Sequence, residues 1–179
     1  DGDGRADHAT VFADGFNKLE DGTAAGVLAF NGNVYFANIP NLWLLRDENG
    51  DDKADTRKAL YTGFGVRYEI SGHDLHGLRL GPDGRIYFSI GDRALHVTRP
   101  DGSVVSNPDS GAVLRCDPDG SHFETLAWNF RNNYEVNLDS FGTIWQSDND
   151  DDGNRGVRIN YVMEYGNNGY KDEITGAGW

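Results

Sequence analysis

The residues of this sequence that carry chemistry stand where predicted β-strands begin and end. His73 precedes one strand and Asp92 follows its hairpin partner, while Arg131 and Asp148 occupy the matching positions of a later hairpin. Because the two strands of a hairpin run antiparallel, the residues before the first strand and those after the second lie at the same rim. The sequence therefore predicts that these four side chains face one pocket.

Proton transfer beside an anionic ligand is the chemistry that such a pocket would support. An imidazole next to a carboxylate is the arrangement of a general base that works near neutral pH. Arg131 and the amide of Asn132 would suit a planar, negatively charged ligand. His76 lies three residues after His73, so the two imidazoles are alternatively a metal-binding pair or plain structural polar residues.

Short acidic loops point to a second chemistry, the binding of cations. The segment DENGDDKAD, residues 47–55, offers an oxygen ligand at alternate positions, and Ca²⁺ takes about 6–8 oxygens from such loops. The loop lacks the central Gly and the final Glu of an EF-hand, and an acidic surface turn is the alternative interpretation. The candidate calcium ligands are Asp47, Asn49, Asp51, Asp55 and the backbone carbonyl of Lys53.

A second acidic loop, SDNDDDGN at residues 147–154, directly follows an aromatic strand. Carboxylates packed this closely repel one another unless a cation or an arginine neutralises them. Arg155 and Arg158 follow closely enough to supply part of that charge, so a metal site and an arginine-neutralised loop are both open. The alternating candidates for metal ligation are Asp148, Asp150 and Asp152.

The elements that must position these residues form a repeat. The segments 26–39, 76–92 and 134–150 each read as an alternating apolar strand, a turn containing glycine and a second strand with an aromatic residue. This pattern is typical of a β-hairpin. The segment 1–16 also recurs as 49–64, at an offset of 48 residues. Four short strands in about 50 residues are typical of one propeller blade.

We therefore predict an all-β chain that forms a β-propeller fragment of about three blades, taken from a six-bladed propeller. The predicted units are residues 1–64, 65–128 and 129–179, truncated at both ends. A β-sandwich with similar turns is the alternative.

Composition argues against two classes of partner. The chain carries 16 Lys and Arg against 29 Asp and Glu, a net charge of −13, whereas nucleic-acid contacts require clustered basic residues. No apolar run approaches the roughly 18 residues of a membrane span. We expect neither a nucleic-acid partner nor a direct membrane span in this chain.

Three stretches, in order, resemble soluble PQQ-dependent glucose/sorbosone (aldose-sugar) dehydrogenases. They are GHDLHGLRLGPDGRIYFSIGD (72–92), NFRNNYEVNLDSFGTIWQSDND (129–150) and GVRINYVMEYGNNGY (156–170). Together with the acidic loop, they are especially similar to the large membrane-bound dehydrogenase-like proteins of planctomycete-type bacteria.

The resemblance implies catalytic and cofactor-binding roles. His73 matches the family's general base, which takes the proton of the sugar's anomeric hydroxyl while hydride passes to PQQ. Asp92 matches the acid that orients this base. Arg131 and Asn132 match groups that contact the quinone, although the residues that follow them, 133–135, replace the family's Pro-Gln-Gly and alter the pocket floor.

The resemblance also implies a metal site at the second acidic loop. Asn149, Asp150 and Asp151 fall where the family holds Ca²⁺ through backbone carbonyls. There the ion polarises PQQ as a Lewis acid.

The expected function is that of a fragment of a secreted PQQ- and calcium-dependent dehydrogenase that oxidises an aldose or related hydroxyl. Its partners would be a small-molecule sugar or alcohol and a cytochrome c domain as electron acceptor. The expected location is periplasmic or extracellular, where calcium is abundant enough for such loops. A non-catalytic, calcium-stabilised propeller that binds glycan or protein is the main alternative, and a calcium-dependent lactonase-like hydrolase is a weaker one.

Overall fold

The strands of this protein follow the hairpins that the sequence predicts. The computed structural model describes residues 2–65, 72–149 and 156–170, and these ranges contain fourteen strands and no helix. The prediction of an all-β chain is confirmed. None of the described residues belongs to a helix that is long and apolar enough to cross a membrane.

The first sheet is a four-stranded meander. It consists of β1 (Ala24–Phe30), β2 (Asn33–Asn38), β3 (Asn41–Arg46) and β4 (Thr56–Thr62), each antiparallel to the next. Asn31 and Gly32 join β1 to β2 with φ angles of 49° and 73°. Positive φ at both central residues is the requirement of the tight hairpin turn that Asn-Gly favours.

The second sheet is also four-stranded but contains an insertion. Residues 75–130 form β5 (Leu75–Leu80), β6 (Ile86–Ile90), β7 (Leu95–Thr98), β8 (Val104–Asn107), β9 (Gly111–Cys116) and β10 (Glu124–Phe130). β5, β6, β9 and β10 pair antiparallel in that order, whereas β7 and β8 form a hairpin of their own. The strand predicted over 94–102 is therefore not part of the sheet. It contacts the end of the first sheet instead, because Leu95 forms an isolated β-bridge with Phe64, which follows β4.

The third sheet contains three strands, and the chain then returns to the second sheet. β11 (Tyr134–Leu138), β12 (Ile144–Asp148) and β13 (Arg158–Val162) are consecutive and antiparallel. The short β14 (Gly166–Asn167) pairs parallel with β10, the outer strand of the second sheet.

The first strands of the three sheets lie side by side. β1 pairs in parallel with β5 at Ala25 and His76, and β11 packs along β5. Gly77 has a φ of 68°, and a Cβ at this position would lie 2.7 Å from the Cα of Glu135, so only glycine allows β11 to approach this closely. Inner strands that share a centre are the arrangement of propeller blades, and the predicted fold class is confirmed. The six-bladed ring and the boundaries at residues 64 and 128 stay predictions.

The second sheet is apolar on both faces because it separates two cores. Phe88 and Leu114 pack toward the first sheet, and Tyr87 and Val113 pack toward the third. All residues of β6 and β9 are buried. A sheet covered on both sides reads as a continuous apolar run rather than an alternation, which explains the sequence of these strands.

Candidate functional site

His73 and Asp92 form a short hydrogen-bonded pair at the rim of the second sheet. His73 lies just before β5 and Asp92 just after β6, and these strands are antiparallel neighbours. His73 Nδ1 lies 2.6 Å from Asp92 Oδ1, and the two side chains are only 12% and 13% exposed. The structure brings together two residues that the sequence predicts to meet, while their catalytic roles stay predictions.

Gly91 provides the space in which this pair is packed. A Cβ at residue 91 would lie 2.9 Å from both the Cβ and the carbonyl oxygen of His73, and 3.1 Å from Asn132 Oδ1. Ordinary contacts are longer, so a side chain here would displace His73 or Asn132. The glycine before Asp92 therefore lets two candidate site residues pack over the end of β6.

Tyr170 is a member of the site that sequence reasoning missed. Its hydroxyl donates to Asp92 Oδ2 at 3.1 Å, and the side chain is 1% exposed. The residue lies 78 positions from Asp92 in sequence, and no local motif links the two. The only signal was its presence in the third stretch that resembles the dehydrogenases.

The surroundings of Asp92 keep it ionised. Burial alone would raise the pKa of Asp92. Three neighbours more than offset this effect and hold the pKa below its ordinary value: the hydrogen bond and charge of His73, the charge of Arg93 and the hydroxyl of Tyr170. Arg93 Nη1 is 3.7 Å from Asp92 Oδ1. An ionised Asp92 accepts a hydrogen bond from Nδ1–H of His73, which leaves Nε2 as the basic nitrogen of the imidazole.

Asp148 is a buried acid at the same rim, and donors of the protein occupy its oxygens. Its Oδ2 accepts from Arg158 Nη2 at 2.6 Å and from the backbone N–H of Arg131 at 3.4 Å. Its Oδ1 accepts from the backbone N–H groups of Asn132 and Asn149 at 2.9 and 3.1 Å. The side chain is 0% exposed. Asp148 therefore holds the Arg131-Asn132 turn in place.

The Arg131-Asn132 turn also touches the His73–Asp92 pair. The backbone N–H of Asp92 donates to the carbonyl oxygen of Arg131 at 2.6 Å. The structure thus joins the ends of the second and third sheets and brings the four residues to one rim, where Arg131 is linked through its backbone, while a pocket that all four side chains face stays a prediction. Their contact is through the backbone as much as through side chains.

The contacts of Asp148 favour a structural role over metal ligation. A carboxylate that already accepts four hydrogen bonds has no oxygen lone pair left for a cation. The arginine that neutralises it is Arg158, one of the two that the sequence suggests. Asp150, Asp151 and Asp152 lie outside the described residues, and metal binding by Asn149 through its carbonyl stays a prediction. Among the residues that the structure does describe, no three acidic, histidine or cysteine side chains gather as a metal site.

His76 is a buried, neutral imidazole beside the site. Its Nδ1 lies 3.0 Å from Ser89 Oγ, and its ring is 4.3 Å from the ring of Tyr134. Burial lowers the pKa of His76 to about 4, and the charge of His73 lowers it further. The carboxamide of Asn132 opposes this lowering, although its contact with His76 lies outside ordinary hydrogen-bond geometry. These contacts favour a structural polar residue over a metal pair with His73.

Acid is expected to destabilise the protein through His76. Its imidazole takes up a proton only near pH 4 when folded but near about 6.5 when unfolded. Between these values the unfolded state binds more protons, so the free energy of unfolding falls as the pH is lowered, by about 3 kcal/mol in total. Urea midpoints measured across this range should depend less on pH in His76→Gln. The control His96→Gln removes an exposed imidazole, and equal pH dependence in both variants would contradict the prediction.

The loop 47–55 is built from turns capped by its own acidic residues. Asp47 accepts the backbone N–H groups of Asn49, Gly50 and Asp52 at 2.7–3.1 Å, and the bond from Gly50 contributes most to a lowered pKa of Asp47. Asp51 accepts the N–H of Lys53 at 3.0 Å. Calcium binding by this loop stays a prediction.

The loop 47–55 and the His73–Asp92 pair lie at opposite ends of the sheets. β1 and β5 are parallel and start at the same rim, and β3 runs parallel to β1, so the end of β3 lies at the far rim. The structure therefore places the two candidate sites at opposite rims, and an ion bound at 47–55 would not touch the pair.

Comparisons with known proteins match both the family and the fold. The model of a family described as "Domain of unknown function (DUF7133)" matches residues 1–174. No curated protein matches. Seven chains of solved structures match, and one of them is described as "glucose dehydrogenase".

The similarity to that glucose dehydrogenase concerns the fold. The TM-score is 0.58 at 14% sequence identity, and the alignment covers 88% of this chain and 55% of the dehydrogenase. The present chain thus spans about half the length of its structural relative. The relationship to planctomycete-type proteins stays a prediction.

Proposed function

This chain belongs to the DUF7133 family. From its dehydrogenase-like propeller fold and the His73–Asp92 pair at its rim, we propose that it is the part of a PQQ-dependent dehydrogenase that carries the general base. The observation that carries the proposal is the 2.6 Å contact between His73 Nδ1 and Asp92 Oδ1. A sugar or alcohol substrate, a cytochrome c domain as electron acceptor and a location outside the cytoplasm belong to the same proposal.

The residues at the rim fit a planar, negatively charged quinone. Asp92 and Asp148 are each neutralised by donors of the protein, so they do not repel an anion. Arg131 and Arg93 add positive charge, and guanidinium groups suit carboxylates in particular. The Oδ1 of Asn132 lies 3.1 Å from where a Cβ on Gly91 would stand, so this amide lies beside the His73–Asp92 pair.

The protein's part in the reaction is proton removal. With Nδ1 hydrogen-bonded to Asp92, Nε2 of His73 would accept the proton of the substrate hydroxyl as the adjacent carbon loses hydride. PQQ, when bound, supplies the acceptor for that hydride. Asp92 stabilises the imidazolium that results, because its negative charge lies beside Nδ1 in a largely buried position. Arg131 and Asn132 would hold the cofactor in front of the base.

Calcium enters the proposal as a structural ion of the loop 47–55. Its candidate ligands Asp47, Asn49, Asp51 and Asp55 accept hydrogen bonds from the loop itself and do not gather as a metal site in the described structure, so calcium binding would have to turn their oxygens toward one point. The oxygens of Asp148 already accept hydrogen bonds from the protein, so the proposal gives this residue a structural role. No step of the proposed reaction depends on a metal ion.

Dye reduction by the full-length protein tests the proposal. Reconstitution with PQQ and Ca²⁺ should produce aldose- or alcohol-dependent reduction of an artificial electron acceptor, and PQQ should bind with a measurable change in absorbance. Chelation should lower the melting temperature because it empties the loop 47–55. A calcium-dependent melting temperature with neither PQQ binding nor dye reduction would contradict the dehydrogenase and favour a non-catalytic, calcium-stabilised propeller. The control is Asp101→Asn, which changes an exposed acid of the β7–β8 turn and should alter neither dye reduction nor the response to chelation.

A further inference from the structure

We propose that Tyr170 is a positioning residue that fixes the carboxylate of Asp92 and, through it, the imidazole of His73. The inference builds on the proposed function, because it assigns a third member to the proposed base. Tyr170 lies outside the loops that carry His73 and Asp92. Its role follows from three features of the structure: how it is delivered, which oxygen it binds and how completely it is buried.

The segment that follows the third sheet places Tyr170 against the second sheet. After β13, the N–H of Tyr165 donates to the carbonyl of Leu126, and β14 pairs with β10. The N–H of Asn168 donates to Trp128 at 3.0 Å, and that of Tyr170 to Asn129 at 2.9 Å. We call residues 165–170 the return strand. Because it runs parallel to β10, it ends at the rim where β10 ends, which is the rim of Asp92.

Tyr170 takes the oxygen of Asp92 that His73 leaves open. Oδ1 of Asp92 contacts His73 at 2.6 Å, and Oδ2 accepts the Tyr170 hydroxyl at 3.1 Å. The backbone N–H of Asp92 is held by the carbonyl of Arg131. A carboxylate fixed at both oxygens and at its backbone cannot rotate, so the direction in which it holds the imidazole is fixed as well.

Burial strengthens this bond. Tyr170 is 1% exposed, and a hydrogen bond to a charged group gains strength where water is excluded. Two other charged or titratable groups are described around the Asp92 carboxylate: His73, and Arg93 at 3.7 Å from Oδ1. His76 is close enough to His73 to feel its charge. None of these is a donor to Oδ2 in the described hydrogen bonds.

The substitution Tyr170→Phe tests the proposal because it removes only the hydroxyl. Loss of a donor that lowers the pKa of Asp92 should raise the midpoint of the Asp92 carboxyl signal in a ¹³C NMR titration by about one pH unit. In the dye-reduction assay, kcat should fall roughly tenfold with little change in KM. The titration needs neither cofactor nor turnover, so it tests the inference even if the proposed function is wrong.

Tyr165→Phe is the matched control. The Tyr165 hydroxyl also donates to a carboxylate at 3.1 Å, that of Glu124, but it is exposed and lies at the start of the return strand. We expect this variant to leave the Asp92 titration and kcat unchanged. If both variants moved them equally, the effect would belong to the return strand as a whole and the proposal would be overturned.

A double-mutant cycle distinguishes an effect of Tyr170 that acts through Asp92 from a general structural effect of the substitution. If Tyr170 acts through Asp92, then Tyr170→Phe should lower kcat no further in an Asp92→Asn background, although both single variants lower it. Additive losses would overturn the proposal, as would an unchanged Asp92 midpoint in Tyr170→Phe. Melting temperatures of all variants verify that each is folded.

Discussion

Replacement of His73 by alanine is expected to lower kcat of dye reduction by roughly 10²–10⁴-fold, the usual contribution of a general base. The reason is that Nε2 of His73 is the nitrogen left basic when Asp92 holds Nδ1. Binding of PQQ should persist, because the residues proposed to hold it, Arg131 and Asn132, remain. The measurement is kcat with saturating PQQ and aldose, together with a separate PQQ titration.

His122 provides a matched control for that result. It forms an imidazole–carboxylate contact of the same length, 2.6 Å between its Nδ1 and Asp117 Oδ2, but it is 71% exposed and lies in the turn between β9 and β10 at the far rim. We expect His122→Ala to retain full activity. Undiminished activity in His73→Ala would show that the base is elsewhere, whatever the geometry of the pair.

Asp148→Ala is expected to destabilise the protein by roughly 3–5 kcal/mol, which is the effect of removing one partner of a buried ion pair. The substitution leaves the guanidinium of Arg158 without its carboxylate and three backbone N–H groups, those of Arg131, Asn132 and Asn149, without their acceptor. The backbone donors that lose their acceptor are part of that loss, because an N–H group without a partner is costly where water is largely excluded. Urea denaturation of the purified variant measures the loss.

The same experiment separates a structural role for Asp148 from metal ligation. Asp139 also accepts two backbone N–H groups in the third sheet, but it is exposed, so Asp139→Ala should destabilise by only about 1 kcal/mol. If Asp148 were also a calcium ligand, chelation would destabilise the parent protein more than Asp148→Ala, which would keep only the response of the loop 47–55. We expect both to respond to chelation alike. Equal losses for the two alanine variants would also contradict the structural role.

The sequence predicts the fold where local patterns decide it. Short apolar strands on both sides of Asn31-Gly32 and of the turns at residues 81–84 and 139–142 are sufficient to predict the first hairpin of each sheet. The rim that His73 shares with Asp92 follows from the antiparallel order of those hairpins. These inferences need only neighbouring strands, and the structure agrees with them.

Long-range pairing is what the sequence did not reveal. The segment 94–107 alternates like any other strand, and its pairing as a separate hairpin beside Phe64 is not visible in that alternation. Within the return strand, β14 has only two residues, too few to leave a pattern in the sequence. Asp148 reads as an acidic-loop residue because nothing local indicates that its oxygens are filled by the turn at Arg131 and by Arg158.

The position of Tyr170 has a consequence for the order in which the site is made. Synthesis proceeds from the N-terminus, so His73 and Asp92 leave the ribosome while Tyr170, 78 residues after Asp92, has yet to be added. His73 and Arg93, the charged groups beside the Asp92 carboxylate, both flank strands of the second sheet. A nascent chain would therefore carry an imidazole and a carboxylate whose mutual orientation is fixed only after the third sheet has been translated.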